Sequence, residues 1–556
     1  MKNKYIIRLA VYMIIIPMLT GLNACKKSLD KSLDIAARDR LTDASVWTDQ
    51  GTADVFLNDI YGVLPDGNNW YDPFDNWSDN SICGFGWPLS RTQAQQANYT
   101  PSTLAFWTGL PYDWGTNYNN IRKTNIFIAK VGASLLSADF KKSRLAEARF
   151  LRAYFYQLLW MSYGGVPVIT QPLNVTQQGD SIFKARNTFE ETTTFITGEL
   201  AAVAADLPEA NEPGRITKGA ALALKGWCEL FAKQYAASAA TNKDIIDNLG
   251  NGKVYDLFPD YGGLFMPENN GSKEGIFYRQ YIPRVKGGRN EGYNGPTFTK
   301  GGTETSWGGV NPTQELVDDY AMDNGLTISD PASGYNAQTP YIHRESRFYQ
   351  TIVYDGSYFY NDTLYTRQGI GSKTEIDLSD KDDASQTGYY LRKRLNDKIT
   401  LGSDNWDGGS SGQNYYYFRY AEVLLNYAEA QNEAVGPDQS VYDAINKIRA
   451  RGKIPALTPG LGQGQMRDAI RRERRVELAF EDKRWWDLIR WNTAHINLNK
   501  PLHGISIKAG AGGVLVYVPV TIPGGDRKFN ATINYLFPIP QSARDQNKKL
   551  AQNPNY

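Results

Sequence analysis

The sequence predicts a mainly α-helical fold: helix pairs of tetratricopeptide size form a scaffold, and an irregular, loop-rich module is inserted among them. Three observations carry this. Apolar residues recur at helical spacing in paired stretches, about 118–135 with 141–163, 190–207 with 217–239, and 417–433 with 440–451, with two more at 465–482 and 485–492. The pairs cover about 35–50 residues, near the length of a tetratricopeptide-type unit. Residues 251–413 change character, being rich in Gly, Asn, Asp, Tyr and turn dipeptides with few sustained helical patterns.

The first element is a leader. Lys2, Lys4 and Arg8 precede an apolar run from Leu9 to Leu22, so 1–24 reads as a secretory signal, too short for a comfortable membrane span. It ends in Leu22-Asn23-Ala24-Cys25, which predicts cleavage before Cys25 and acylation of that cysteine. Two or more acyl chains make a stable anchor where one is marginal. Residues 25–48 are polar and read as a tether. Cys83 and Cys228 remain; export permits a disulfide, but free thiols are the favoured reading.

Residues 49–250 form an N-terminal helical part, with a first helix from Asp49 to Val63. Between that helix and the next runs an irregular stretch, 65–118, holding Trp70, Tyr71, Phe74, Trp77, Trp87, Trp107, Tyr112 and Trp114. A segment so long inside a compact protein is usually functional. The helix 141–163 stops at Gly164-Gly165, with Pro167 beyond. Ala220, Ala221, Ala223 and Leu224 give the 217–239 helix a face for close packing, and 242–249 reads as a shorter helix. In the 251–413 insert, 311–325 reads as a capped short helix and 347–355 as a strand. A second helical part covers 414–492. The tail, 493–556, holds a strand at 514–520 and an extended end fixed by Pro538 and Pro540.

Composition narrows the function classes. The 556 residues carry 60 Lys+Arg against 59 Asp+Glu, a net charge of +1, which argues against a nucleic-acid partner. The 35 Tyr, 13 Trp and 51 Gly suggest long ordered loops bearing exposed rings, a surface suited to flat sugar faces; a Tyr-rich core is the alternative. The three histidines, His343, His495 and His503, have no metal-ligand spacing, and neither a phosphate loop nor a nucleophile elbow is present, so no metal, cofactor or catalytic residue is assigned. DLSDKDD (377–383) lacks the order of an EF-hand loop.

Met466–Trp491 is the densest run of charge. On a helix, Met466, Ala469, Ile470, Val476 and Phe480 form one stripe, with Glu473 and Glu477 inside it and Arg471 and Arg475 opposite. Carboxylates inside an apolar face must meet cations when buried. Arg419 and Arg449 are the partners expected. Neighbours one turn apart on one helix do not flank a glycosidic bond from two sides, so ion pairing is preferred to catalysis.

These segments resemble the SusD/RagB family of nutrient-binding outer-membrane lipoproteins. The resemblance rests on the cysteine motif at Cys25, on AEARFLRAYFYQLLWMSYGGVPVI (146–169), NPTQELVDDYAMDNG (311–325), YFRYAEVLLNYAEAQNEA (417–434), AIRRERRVELAFEDKRWWDLIRW (469–491) and LFPIPQSARDQNKKLAQNPNY (536–556). Glu345-Ser346-Arg347-Phe348 stands where the family's Asp-Pro-Arg-Phe is usual, and Arg544 and Asn555 also depart from its pattern. The resemblance implies a SusD-like fold, no enzymatic activity, and a lipid-anchored position on the outer membrane. It also implies a SusC-like TonB-dependent transporter as partner and an oligosaccharide or polysaccharide as ligand. Peptide cargo, a protein-binding scaffold and a surface glycosidase are the alternatives. Family aromatics that touch ligand lie in two loop regions; here these hold Trp87, Arg91, Asn98 and Trp107, and Tyr293, Asn294 and Trp307. Rings would stack on a sugar and the polar groups would meet its hydroxyls.

Overall fold

The structure is a computed structural model that describes residues 46–103, 111–297, 299–300, 303–304, 306–379, 384–399 and 409–556. Cys25, Trp107 and residues 380–383 of the acidic loop lie outside the described residues.

The fold is mainly α. Its first helix, α1 (Gln50–Gly62), is capped by the Asp49 side chain. Next come α2 (Trp114–Ala133) and α3 (Ala138–Tyr163). The longest, α3, starts at Ser137, whose hydroxyl accepts from Phe140 N, and stops at Gly164, where φ is 77°. Its second half is buried on every side, Phe150, Phe155, Leu159 and Trp160 included, so it forms the axis of the helical layer. Then follow α4 (Phe189–Ala204), α5 (Lys218–Phe231) and α6 (Tyr235–Asp244). The single helix expected over 217–239 is therefore two, because Lys233 takes φ 60° and turns the chain between them. A short α7 (Asn290–Asn294) and α8 (Gln314–Asp319) lie in the insert. The C-terminal part adds α9 (Tyr420–Val435), α10 (Gln439–Arg451), α11 (Gln463–Glu477) and α12 (Arg484–Arg490). Consecutive helices from α2 to α6 pack side by side, and α9 docks on α6 and carries α10 and α11.

Strands are short: β1 (Ser81–Ile82), β2 (Gly275–Arg279), β3 (Asn311–Pro312), β4 (Tyr415–Arg419), β5 (His503–Ala509) and β6 (Leu515–Thr521). They pair antiparallel as β1–β3, β2–β4 and β5–β6. Two expectations need correcting. The 417–433 helix begins only at Tyr420, because the aromatic run before it pairs with β2. The strand expected at 347–355 is helical over Ser346–Thr351, with Ile352–Val353 alone extended. Cys83 and Cys228 are buried thiols that form no disulfide among the described residues.

One helix joins two hydrophobic cores. Met466 and Ile470 of α11 enter the helical core, while Val476 and the following Ala479 and Phe480 enter a second core under the insert, with Val310, Phe348, Tyr390 and Ile507. The helix ends at Glu477, earlier than expected, and Phe480 and Asp482 each take φ 60° in the turn beyond. Glu473 and Glu477 are buried. Glu477 meets Arg347 at 3.0 Å, Arg419 at 2.7 Å, and Arg451; Glu473 meets Arg347 at 2.6 Å and Arg449 at 3.2 Å. Glu274, Glu345 and Glu481 with Lys393 complete the network, five carboxylates against five cations among the described residues. The expectation that Arg475 points away from the buried face is wrong. Segment 79–80 and α8 cover that side of α11. Arg475 is buried there, 2.6 Å from Asp319 and 3.3 Å from Asp79, and donates to Asn80 Oδ1 at 2.9 Å. Arg474 is fully buried as well, paired with Asp487 at 2.8 Å. Arg471 lies at a margin, its guanidinium 4.6 Å from the centre of the Trp491 ring.

Candidate functional site

The two aromatic loop regions meet. Pairing of β1 with β3 sets Ser81 opposite Pro312 and Ile82 opposite Asn311. Just beyond, Gly84 lies against Gly308, so close that a Cβ on Gly84 would stand 2.1 Å from the Gly308 carbonyl oxygen. Gly308 itself takes φ 66°, a conformation that costs glycine nothing. This close approach seats the loop of Phe85 and Trp87 against Trp307.

Five rings then form a closed circuit. Their centroids lie 5.0 Å apart for Tyr71–Trp87, 5.8 Å for Trp87–Phe85, 5.9 Å for Phe85–Trp307, 5.4 Å for Trp307–Tyr293 and 6.2 Å for Tyr293–Tyr71. These separations suit offset and edge-to-face contact. Phe85 is the buried floor. Trp87 is 56% exposed and Tyr71 40%, while Tyr293 and Trp307 are half-buried. Exposed rings clustered in this way make a candidate binding surface.

Backbone and amide bonds hold the two halves together. Trp307 N donates to Gly292 O at 2.9 Å, Gly309 N to Tyr293 O at 2.8 Å, and Asn76 Nδ2 to Gly309 O at 3.1 Å. Asn294 is buried, and its amide donates to Trp70 O and Asn290 Oδ1, both at 2.9 Å. Arg91 is buried too, donating to Cys83 O at 3.0 Å and Gln386 Oε1 at 2.8 Å. Both residues brace the loops instead of facing solvent. Asn98 is exposed, and its side chain makes no hydrogen bond among the described residues. From the tail, Arg527 donates to Trp77 O at 3.0 Å, Ser81 O at 2.9 Å and Asn76 O at 3.3 Å, pinning the turn that leads into β1. Trp87, Tyr293 and Trp307 are thus brought together. Tyr71 and Phe85 were not singled out from the sequence; the density of rings over 70–87 was the available signal, but only the β1–β3 pairing decides which rings meet.

Each half also rests on a buried carboxyl group. In α7, Glu291 Oε1 accepts from Asn396 N at 2.8 Å and Gln413 Nε2 at 2.6 Å, and burial pushes the acid up to about 7. Before β1, Asp75 accepts from Phe480 N at 3.1 Å, Asp482 N at 2.9 Å and Asn80 Nδ2 at 2.8 Å. Burial, with the charge of Asp482, raises Asp75 to about 6. In return, Asp482 accepts from Phe74 N and Tyr415 OH, both at 2.8 Å. The carboxylates near the rings are thus engaged in supporting backbone. The surface itself offers flat apolar faces of sugar-ring size, on which a pyranose can stack.

Comparison with known proteins agrees with this architecture. Residues 273–556 match the model of the SusD family, and residues 58–226 match a SusD-like family described as starch-binding and associating with the outer membrane. A SusD-like protein of Bacteroides ovatus is 26% identical over 496 residues, which cover 83% of this chain and 79% of the relative. SusD-like protein P2 of Formosa agariphila is 24% identical over 462 residues, 80% of each chain. A solved SusD-like protein of Bacteroides fragilis, 29% identical, superposes with a TM-score of 0.79 over 94% of this chain and all of the other. A SusD-like carbohydrate binding protein of the same species, 28% identical, gives 0.77 over 91% of this chain and all of the other. With a family model matching more than half its length and solved relatives sharing its whole fold, the chain belongs to the SusD family.

Proposed function

We propose that this protein binds an oligosaccharide or polysaccharide on the five-ring circuit and, held at the outer membrane through a lipidated Cys25, passes it to a SusC-like TonB-dependent transporter. It binds its ligand without turnover. The observation that carries the reading is the exposure of Trp87 and Tyr71 on a circuit that Tyr293, Trp307 and Phe85 complete. The carbohydrate-binding relative from Bacteroides fragilis and the starch-binding description of the matching family support the ligand class. Among the described residues, Asp72 beside Tyr71 is engaged by Asn76 Nδ2 at 3.2 Å and Ser90 N at 2.9 Å, and Asp75 and Glu291 are buried, which supports a binding role over hydrolysis.

Calorimetry against a panel of starch, other purified polysaccharides and peptides tests this. One polysaccharide class binds the purified protein. Trp87→Ala and Trp307→Ala each weaken that binding at least about tenfold, some 1.4 kcal/mol, at unchanged melting temperature. Wild-type affinity in both variants would reject the site, and binding of peptides but no glycan would reject the ligand class.

A further inference from the structure

Two buried carboxyl groups, in the chain segments that lead to the rings, differ from the acids of the α11 network. Each acid in the α11 network meets a cation at salt-bridge distance. Asp75 and Glu291 are 0% and 1% exposed, and neither makes an ion pair among the described residues. Glu291 Oε2 is also buried without a hydrogen-bond partner. A buried carboxyl of this kind is held most cheaply as the neutral acid.

Their positions connect them to the rings. Glu291 belongs to α7, two residues before Tyr293, and the carbonyl of its neighbour Gly292 receives Trp307 N. Asp75 shares a turn with Phe74 and Trp77 and binds the Asn80 amide just before β1, the strand that leads to Phe85 and Trp87. The charged and titratable groups around them are few. Arg394, Tyr360 and, beyond Tyr360, Asp397 face Glu291, but the Arg394 guanidinium is committed to Phe480 O at 2.7 Å and Asn68 Oδ1 at 2.6 Å. Asp482 faces Asp75, and Tyr415 and Tyr112 lie behind Asp482.

We infer that protonation of Glu291 and Asp75 sets the geometry of the aromatic surface, so that the protein grips its ligand more tightly in mildly acidic than in alkaline solution. Ionisation of Glu291 leaves a charged Oε2 with no partner, and that charge is relieved by moving α7 or admitting water, either of which shifts Tyr293 and Trp307. Ionisation of Asp75 sets two anions side by side and loosens the turn before β1. Burial places these events near neutrality, at about 7 for Glu291 and about 6 for Asp75. Each proton limits the change in affinity to about tenfold per pH unit, so the two groups together allow at most about a hundredfold.

The inference uses the glycan-binding reading of the rings, but its test needs no glycan. The protein is labelled with 5-fluorotryptophan, and the Trp87 and Trp307 fluorine resonances are assigned by Trp87→Phe and Trp307→Phe. Between pH 5 and 8.5 the Trp307 signal moves with a midpoint near 7, and Glu291→Gln abolishes the movement. The Trp87 signal moves with a midpoint near 6, and Asp75→Asn abolishes that. Flat signals in the unsubstituted protein would overturn the inference even if a variant failed to fold. Titrations that persist unchanged in Glu291→Gln and Asp75→Asn would overturn it equally. Failure of glycan binding alone bears on the proposed function and leaves this readout intact.

Discussion

Replacing Glu477 by Ala removes the acid at the centre of the α11 network. Glu477 is fully buried and meets Arg347, Arg419 and Arg451. Burial alone would raise its pKa, but Arg451, Arg419 and Arg347 outweigh it and hold the carboxyl well below the usual range. After substitution each arginine keeps a carboxylate: Arg347 retains Glu345 and Glu473, Arg419 retains Glu274 and Glu481, and Arg451 retains Glu274. The network nevertheless falls from five charges of each sign to five cations against four anions. Breaking a buried pair in this way costs about 3–5 kcal/mol, a large part of the roughly 5–15 kcal/mol that holds a typical fold. Urea unfolding followed by circular dichroism measures the loss. With a slope of about 3 kcal/mol per M, the midpoint falls by roughly 1–1.7 M. Glu477→Gln separates charge from volume and falls by most of the same amount, while glycan affinity in the folded fraction stays at the wild-type value. A loss under about 1 kcal/mol in both variants would refute the reasoning, since it would mean that the fifth cation needs no anion.

Gly84→Ala places a methyl group about 1 Å inside the closest approach real Cβ atoms make to a backbone oxygen, so the Trp87 and Trp307 loops must part; the expected cost is about 1–3 kcal/mol by chemical denaturation, with glycan affinity lost more steeply than stability. Acid stability has two windows. Burial is outweighed by Arg490 at Glu429 and by Arg419 and Lys393 at Glu481, leaving both at about 2. The unfolded chain protonates such groups near 4.5, so the stability they supply is complete above that pH and is lost as pH falls towards 2. Glu291 and Asp75 have raised values and act in the opposite sense, so their contribution is complete below about 4 and lost as pH rises through 6 and 7. Urea midpoints measured from pH 8 to 2.5 should therefore rise and then fall, and the initial rise should shrink when Glu291→Gln and Asp75→Asn are combined.

What could be read in advance was local. Ser137 and Gly164 punctuate α3, and apolar spacing reveals its buried side, so that helix was legible to within three residues. The strand β4 was not. Tyr415–Arg419 continues directly into a helical pattern, and its partner, β2, lies well over a hundred residues earlier. Arg475 misled for the same reason. An arginine on a helix defaults to solvent until a distant acid appears, and Asp79 and Asp319 arrive from two separate parts of the chain. Of the candidate site, Trp87, Tyr293 and Trp307 could be picked out as aromatic residues in Gly-rich loops, and the structure brings their rings together. Arg91 and Asn294 were not legible as braces, because their partners, Gln386 and the Trp70 carbonyl, are set by tertiary packing.

The clasp made by Arg527 has a consequence for the life of the chain. The carbonyls it holds lie 446 to 451 residues earlier in sequence. A polypeptide is made from its N-terminus, so the turn leading to Phe85 and Trp87 is complete long before the guanidinium that fastens it exists. During that interval the rings are synthesised but unsupported, and sticky apolar side chains are exposed with no fixed arrangement. The three bonds from Arg527 therefore form only when the tail of the chain closes over its first hundred residues. A chain cut short in its tail would keep most of its helices and lose its grip.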